Sequence, residues 1–301
     1  MQLLQNAFNI LSTRSPPGII LSLATVFLQN GEFKSAYIHE FIGTLLMVFF
    51  TFSAGKWIGE NSLPVAWIAH AFGVVAADYI GGGPHVNPGV TLSMFALGKC
   101  SYTEAYVRIA GAMAGGLFAF PIFRGFSSTF GLTPLGGPGF LLDEDDEDIH
   151  LKVSAAFFSE MSATFLLLMA IYFLNWELNF GKYHYWIKQP LTAVAIRYLI
   201  EVFPSAGPAM NPMLGTTWAV FSSDGNYPSD AEHYWIYWAG PFVGATLASF
   251  VYVIYAGGTF FGATVPFGPI KDSAKASSAI PATSEESTTT KSKKKKGGKK
   301  D

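Results

Sequence analysis

An internal repeat restricts the fold of this chain more than any other feature of its sequence. The repeated elements are Glu40 and Thr44 with Glu160 and Thr164, Asn87-Pro88 with Asn211-Pro212, and Gly111 and Gly115 with Gly240 and Gly244. Their offsets are 120, 124 and 129 residues. Three elements in one order, with a slowly growing offset, are hard to obtain by chance. The sequence therefore predicts two copies of one structural unit.

Each copy holds three apolar segments that approach the length needed to cross roughly 30 Å of hydrocarbon. The six segments cover approximately residues 37–57, 63–80, 102–123, 153–174, 190–203 and 234–255. The fifth is short and carries Arg197 and Glu201, so its hydropathy alone identifies it poorly. An odd number of spans per copy means that the second copy enters the membrane from the opposite face. We therefore expect an all-α membrane protein of six transmembrane helices in an inverted repeat.

The charge content agrees with a membrane protein. Residues 1–270 contain ten basic and seventeen acidic side chains, about 10% charged against roughly 25% in soluble domains. This composition excludes a disordered or nucleic-acid-binding body and disfavours a soluble enzyme. The single cysteine, Cys100, has no partner for a disulfide or a zinc site. Because the sequence also lacks a phosphate loop, a metal-ligand cluster and a nucleophile motif, we expect no enzymatic activity, no cofactor and no metal.

The two Asn-Pro motifs predict half-helices. Asparagine is a favoured N-cap and proline is favoured at the first helical position. Each motif, Asn87-Pro88-Gly89 and Asn211-Pro212-Met213, precedes about ten fairly apolar residues, too few to cross a membrane. Inversion would make these half-helices meet N-terminus to N-terminus at the midplane. Their dipoles would repel cations and protons there, while the asparagine amides would offer N–H donors to a neutral solute.

Together with these motifs, two further stretches carry a family resemblance. They are His85–Thr91, which reads HVNPGVT, and Tyr237–Gly244, which reads YWAGPFVG. Over about residues 36–258 the chain resembles the aquaporins of the major intrinsic protein family. The resemblance implies a bundle of six helices and two half-helices, usually a homotetramer, with a pore for water or small uncharged solutes in each subunit. It also implies that Glu40 and Glu160 accept hydrogen bonds from the half-helix loops.

Three positions depart from the family pattern. The third motif residue is normally alanine, whereas this chain has Gly89 and Met213. The family's constriction arginine normally lies three residues after the second asparagine, where this chain has Leu214. Glycine should loosen the start of its half-helix, methionine should reshape the pore, and leucine should make the outer constriction more apolar. These departures resemble the unorthodox intracellular branch of the family, similar to the small basic intrinsic proteins, which implies an internal membrane such as the endoplasmic reticulum.

The remaining constriction candidates follow from the same resemblance. His70 matches a second-span histidine, Pro208 is the loop position, and the fifth-span position is either Leu199 or Glu201. Arg197 lies four residues before Glu201, so the two could form a local ion pair near a membrane end. Alternatively, Arg197 reaches the constriction and replaces the missing arginine.

The expected organisation is a channel domain with flanking segments: residues 1–35, repeat one at 36–123, an acidic linker at 124–150, repeat two at 151–258 and a tail at 271–301. In the first segment Gly18–Leu28 is too short to span, so we predict an interfacial helix rather than a seventh span. The acidic run Asp143–Asp148 is predicted to be solvated. The lysine-rich tail is predicted to be disordered, to attract anionic lipid, and to place both termini in the cytoplasm.

The predicted function is a passive membrane channel for water or small uncharged solutes. The alternative is a membrane scaffold or complex subunit that keeps the fold but conducts weakly, because Gly89, Met213 and Leu214 all alter the pore. A coupled transporter is less well supported, since no acids beyond Glu40 and Glu160 are obviously placed in the spans for ion coupling.

Overall fold

The computed structural model describes residues 31–51, 63–130, 138, 149–203, 205, 209–222 and 227–271. In chain order its helices are α1 (Gly31–Thr51), α2 (Leu63–Gly81), α3 (Pro88–Ala96), α4 (Tyr102–Phe130), α5 (Ile149–Tyr172), α6 (His184–Val202), α7 (Pro212–Ser222), α8 (Ala231–Tyr234) and α9 (Gly240–Ala256). A π-helical turn, Phe173–Glu177, extends α5, and a second, Trp235–Ala239, joins α8 to α9. A 3-10 turn, Gly181–Tyr183, precedes α6. Strands β1 (Thr259–Phe260) and β2 (Ala263–Thr264) form an antiparallel pair.

Five helices of the described chain are long and apolar enough to cross a membrane. They are Gly31–Thr51, Pro64–Gly81, Tyr102–Phe126, Leu151–Glu177 and Ala231–Ala256. The sixth long helix, α6, is less apolar, but its 19 residues give a length of about 28 Å. The predicted all-α membrane fold with six long helices and two half-helices is therefore confirmed.

The bundle exposes many large apolar side chains and buries several polar and charged ones. Ile68 and Phe72 of α2 are 69% and 72% exposed, whereas Glu40, Glu160 and Asn87 are buried. Large apolar side chains are stable on an outer surface only where that surface faces lipid or a partner. This distribution fits a bundle whose outer surface faces hydrocarbon and whose interior contains a few polar groups.

The two copies pack by the same contacts and then interlock. In the first copy α4 packs against α1, and in the second α9 packs against α5. Each half-helix lies on a span of the other copy, α3 on α9 and α7 on α4. The inverted repeat therefore produces one structure in which neither copy encloses its own half-helix alone.

Repeated glycines allow the close approach within each copy. A Cβ atom at Gly111 would lie 2.7 Å from the carbonyl oxygen of Tyr37, and one at Gly115 would lie 2.5 Å from that of Phe41. In the second copy Gly240 and Gly244 meet the backbone of α5 in the same way. The small-residue spacing seen in the sequence therefore reflects helix backbones in direct contact.

Some predicted boundaries are wrong. Helix α1 begins at Gly31 rather than near residue 37, and α4 continues to Phe130, into the predicted linker. Helix α6 begins at His184 rather than at Pro190, because its polar first turns are bonded inside the bundle and escape a search for apolar residues. The predicted interfacial helix, the acidic run at 143–148 and tail residues 272–301 lie outside the described residues.

Replacing Gly115 by alanine should destabilise the bundle, because the added methyl group would meet the α1 backbone. We expect a loss of about 1–3 kcal/mol, typical of overpacking, visible as a lower unfolding temperature in detergent. A methyl group added at Gly125 of the same helix would have no neighbour within 4 Å, so Gly125→Ala is the matched control. Alanine there should be neutral or stabilising by up to about 1 kcal/mol. Equal unfolding temperatures for the two variants would contradict the close packing of α1 on α4.

Candidate functional site

Two half-helices begin close together in the interior of the bundle. Asn87 caps α3 with an extended backbone (φ −147°, ψ 116°), and its Oδ1 accepts a hydrogen bond from the Gly89 N–H at 2.8 Å. Asn211 precedes α7, and its Oδ1 accepts from the Met213 N–H at 3.0 Å. Each helix then starts with a proline, whose missing N–H is not needed at that position. The two Asn-Pro motifs thus perform the same local task.

The asparagine side chains also tie the two copies together. Asn87 Nδ2 donates to the carbonyl oxygen of Met210 at 2.8 Å, and Asn211 Nδ2 donates to that of Val86 at 3.0 Å. A side-chain amide carries two N–H groups, so each asparagine keeps a second one. Both asparagines line the central cavity. The arrangement therefore leaves amide N–H donors on the wall of the cavity.

Glu40 holds the loop that precedes α3. Its Oε1 and Oε2 accept from the backbone N–H groups of His85 and Val86, both at 2.8 Å. Its Oε1 also accepts from Arg108 Nη1 at 2.8 Å, and Arg108 Nε donates to Glu104 at 2.9 Å. Although Glu40 is fully buried, its charge is paired and both of its oxygens are bonded. It has the partners that a buried carboxylate requires.

Glu160 performs the same task in the second copy without a cation. It accepts from the N–H groups of Ala209 and Met210, at 2.7 and 2.8 Å. The repeat offset relates Arg108 to Tyr237, which is fully buried. Within the described part of the chain, no basic side chain forms an ion pair with Glu160. The two copies therefore share the carboxylate bridge and differ in how its charge is compensated.

The carboxylates support a strained backbone. Val86 and Met210 have φ values of 51° and 50°, a region that costs a non-glycine residue on the order of 1–3 kcal/mol. Each of these residues donates its N–H to a carboxylate and offers its carbonyl oxygen to an asparagine of the other copy. The strain is maintained because four hydrogen bonds fix these two peptide units in place.

A cavity of about 440 Å³ runs past both asparagines. Toward the end of the bundle that carries Thr51 its walls include Met47, His70, Ile196, Arg197, Ile200 and Leu214. Toward the opposite end they include Asp78, Met94, Asn175, Trp176, Lys188 and Gln189. Between these ends lie mostly apolar side chains, including Val74, Leu167 and Ile171. The cavity is a narrow apolar passage with polar groups at its centre and at both ends.

The structure brings three of the predicted constriction residues together. His70, Arg197 and Leu214 all line the same end of the cavity. His70 is 7% exposed, and its Nδ1 has no hydrogen-bond partner within the described chain. Pro208 lies outside the described residues. The single described residue of the 131–148 region, Pro138, also lines the cavity.

The fifth-span candidate Leu199 is placed differently from the prediction. It is buried in a cluster with Ala163, Leu167 and Met210 rather than on the cavity wall. Ile196 and Ile200, four residues apart on one face of α6, line the cavity instead. The helical step of about 100° per residue turns Leu199 toward α5. The apolar segment alone could not predict which face of α6 meets the cavity, because the helix begins six residues before that segment.

Met213 and Gly89 are close to the asparagines but do not line the cavity. Met213 is fully buried in a cluster with Ala112 and Phe120 of α4. A Cβ atom at Gly116 of α4 would lie 2.5 Å from the Met213 sulfur, so the absence of a side chain at Gly116 provides its space. Met213 therefore seats α7 on α4, and the expectation that it reshapes the pore is not met.

Sequence inspection misses the polar cluster at the second end of the cavity. Asp78 Oδ2 accepts from Tyr185 OH at 2.8 Å and from Gln189 Nε2 at 2.6 Å. Next to it, Lys188 Nζ donates to Asn175 Oδ1. The sequence places Asp78 only at the end of a span, and its partners precede the predicted fifth span. Four polar residues within 184–189 are the signal that could have identified this cluster.

No group of three or more potential metal ligands occurs among the residues that the structure describes. The polar side chains that line the cavity are amides, hydroxyls, imidazoles and single charged groups, which suit hydrogen bonding to a neutral molecule.

Comparison with known proteins gives one consistent result. Residues 27–252 match the model of the family described as Major intrinsic protein. The Probable aquaporin PIP2-1 of Oryza sativa subsp. japonica is 26% identical, over 81% of this chain and 89% of that protein. The Aquaporin PIP1-1 of Arabidopsis thaliana is 27% identical, over 76% and 83% respectively. The X-ray structure of the aquaglyceroporin from Plasmodium falciparum aligns with a TM-score of 0.56 at 20% identity, covering 73% of this chain and 95% of that chain.

The two buried carboxylates should respond differently to substitution. Glu160→Gln keeps one acceptor for the loop and removes an unpaired charge, whereas Glu160→Leu leaves two buried N–H groups unbonded, at about 1–3 kcal/mol each. We therefore expect the leucine variant to unfold at a clearly lower temperature. Glu40→Gln should cost more than Glu160→Gln, because Arg108 loses a charged partner. Thermal unfolding in detergent measures both differences in stability. Equal stability of Glu160→Gln and Glu160→Leu would show that the loop does not depend on the carboxylate.

Proposed function

Since the chain belongs to the major intrinsic protein family, a family of channels rather than enzymes, we propose that its cavity conducts water and small uncharged solutes passively and excludes ions at the paired half-helix starts. The observation that carries this proposal is the position of Asn87 and Asn211. Both line the cavity, and both stand at the N-terminus of a half-helix. A neutral solute passing there meets amide donors, while a cation meets positive helix ends.

Electrostatics supports exclusion of cations at this point. A helix N-terminus carries the equivalent of roughly +0.5 elementary charge, and two such ends lie on one narrow passage. The residues between the two ends of the cavity, including Leu167 and Ile171, offer no charge to replace an ion's water. A cation would therefore lose its hydration shell and meet electrostatic repulsion at the same place. A water molecule or small neutral solute would lose only a few hydrogen bonds, some of which the asparagines replace.

The placement of the buried acids supports passive conduction over coupled transport. Glu40 and Glu160 are the repeat-related acids that an ion-coupled transporter would use. Neither is among the residues that line the cavity, and each is engaged by two backbone N–H groups. Their function in this proposal is to hold the half-helix loops.

The wider arrangement in the membrane is part of the same proposal. Both termini lie in the cytoplasm, because the tail from Lys271 onward contains nine lysines and positive residues favour that side. The same lysines attract anionic lipid. Each chain forms its own pore within a homotetramer, and the altered motifs Asn87-Pro88-Gly89 and Asn211-Pro212-Met213 are consistent with an internal membrane such as the endoplasmic reticulum. Fluorescence protease protection of a tagged tail would test the orientation.

The central test is flux through purified protein in liposomes. Asn87→Asp and Asn211→Asp should each lower water permeability on the order of tenfold, equivalent to about 1.4 kcal/mol. A carboxylate can still accept the capping N–H, but it offers no donor to the opposite carbonyl oxygen or to a solute, and it brings negative charge to the midplane. Stopped-flow light scattering measures the shrinkage of vesicles in impermeant, glycerol and urea gradients.

Asn179→Asp is the matched control. Asn179 is exposed and its Oδ1 accepts from the Gly181 N–H, so aspartate preserves its contact and should leave flux unchanged. Wild-type flux in both pore variants, at equal amounts of folded protein, would refute the role of the asparagines. Folded wild-type protein that conducts none of the tested molecules would favour the scaffold alternative.

A further inference from the structure

Arg197 is a cation on the cavity wall in a position that the sequence repeat does not explain. At the end of the cavity where it lies, the other lining residues are His70, Thr51 and apolar side chains, including Ile200 and Leu214. Arg197 comes from α6, a span, whereas the positive groups at the centre of the cavity come from half-helix ends. It therefore adds a charge at a second level of the same passage.

Other protein groups bond to only part of the Arg197 guanidinium. Its Nη2 lies 3.0 Å from Glu201 Oε1. Its Nε is buried and has no hydrogen-bond partner among the described residues, and the same is true of His70 Nδ1 nearby. Buried polar atoms are nearly always bonded. Both nitrogens have almost no accessible surface, so any contact with a molecule in the cavity falls to the remaining guanidinium N–H groups of Arg197, whose side chain is 21% exposed and lines the cavity.

Glu201 fixes the height and direction of the guanidinium. It lies one turn after Arg197, and Trp67 Nε1 of α2 donates to its Oε1 at 3.3 Å. Trp67 precedes His70 by one turn on the same helix, so the contact joins α2 and α6 beside the cavity. Both partners of the ion pair are partly exposed, at 21% and 34% of their side chains, and such pairs contribute little stability. The pair is better explained by positioning than by folding.

We propose that Arg197 is the solute-contacting donor of this constriction and that Glu201 is its positioning residue, which also balances its charge. The inference rests on the proposed channel function. The Nη N–H groups of Arg197 that Glu201 does not engage would bind the oxygen of water or of a small hydroxylated solute. Ile200 and Leu214 would contact the carbon skeleton of such a solute. The expected substrate class is therefore small neutral molecules with one hydroxyl-bearing edge and one apolar edge.

The ion pair predicts how a change of charge at this end of the cavity alters the permeability to ions. Arg197 and Glu201 together are neutral, so this end of the cavity should favour neither anions nor cations. Removing the arginine leaves a carboxylate beside the cavity and should increase the entry of cations at this end. Removing the carboxylate charge leaves a guanidinium and should admit small anions. A purely structural pair would give leaks of no particular sign, so the sign of the leak separates the two explanations.

The test uses the full-length protein in liposomes with four variants. Arg197→Leu should reduce water permeability by about tenfold, the effect of one hydrogen bond to a charged group, and should raise the potassium leak above that of the wild type, to an extent that the half-helix ends limit. Arg197→Lys should remain as tight to potassium as the wild type, because the charge stays, but should conduct hydroxylated solutes less well, because the planar fork of guanidinium donors is lost. Glu201→Gln should keep most of the water flux and leak nitrate. Arg124→Leu is the control, since Arg124 is exposed on α4.

The outcomes separate this inference from the channel proposal. If wild-type protein conducts but Arg197→Leu and Glu201→Gln both keep its glycerol-to-water ratio and its tightness to potassium and nitrate, Arg197 does not contact the solute and the inference is wrong. If Arg197→Leu does not fold, Arg197→Lys and Glu201→Gln still decide, because wild-type selectivity in both would overturn the inference. Absence of any flux through the wild type would overturn the channel proposal itself.

Discussion

The bundle depends on the need to bond every backbone N–H and C=O group at a depth where water is scarce. Two loops reach this depth, and their peptide groups at Val86 and Met210 cannot use helical partners. Glu40 and Glu160 supply the acceptors for their N–H groups, and the asparagines of the opposite copy supply the donors for their carbonyl groups. Without these carboxylates the half-helix starts would have no fixed direction, and the cavity would lose its polar centre.

The two copies share this framework and differ at Arg108 and at the two ends of the cavity. Both use glycine to bring a span into backbone contact with the first span of the copy, and both use a carboxylate to hold a loop. The differences are at Arg108, whose counterpart is Tyr237, and at the two ends of the cavity, where Arg197 faces one end and Asp78 and Lys188 the other. The carboxylates, the glycines and the central asparagines thus follow the repeat, whereas Arg108 and the polar side chains at the two ends of the cavity do not.

The arrangement of spans and half-helices could be predicted from the sequence because it depends on short local sequence patterns. Each of these patterns reports on a single helix. An Asn-Pro pair marks its start, spaced glycines mark a face of close contact, and a long apolar segment marks a span. Rotations and partners across the bundle leave no such signal. The predictions for Leu199 and Met213 are wrong because which face of a helix meets the cavity depends on its neighbours, here α5 for Leu199 and the gap at Gly116 for Met213. The start of α6 escapes prediction because its polar residues find partners only in the folded bundle.

The crossed asparagine bonds also set an order of events during synthesis. Glu40 can engage His85 and Val86 as soon as the first copy is in the membrane, since all three residues belong to that copy. Asn87, however, donates to Met210, which lies 123 residues further along the chain. This bond can therefore form only after the chain has been synthesised through Met210. A chain that stops before that residue lacks the contact that joins the starts of the two half-helices.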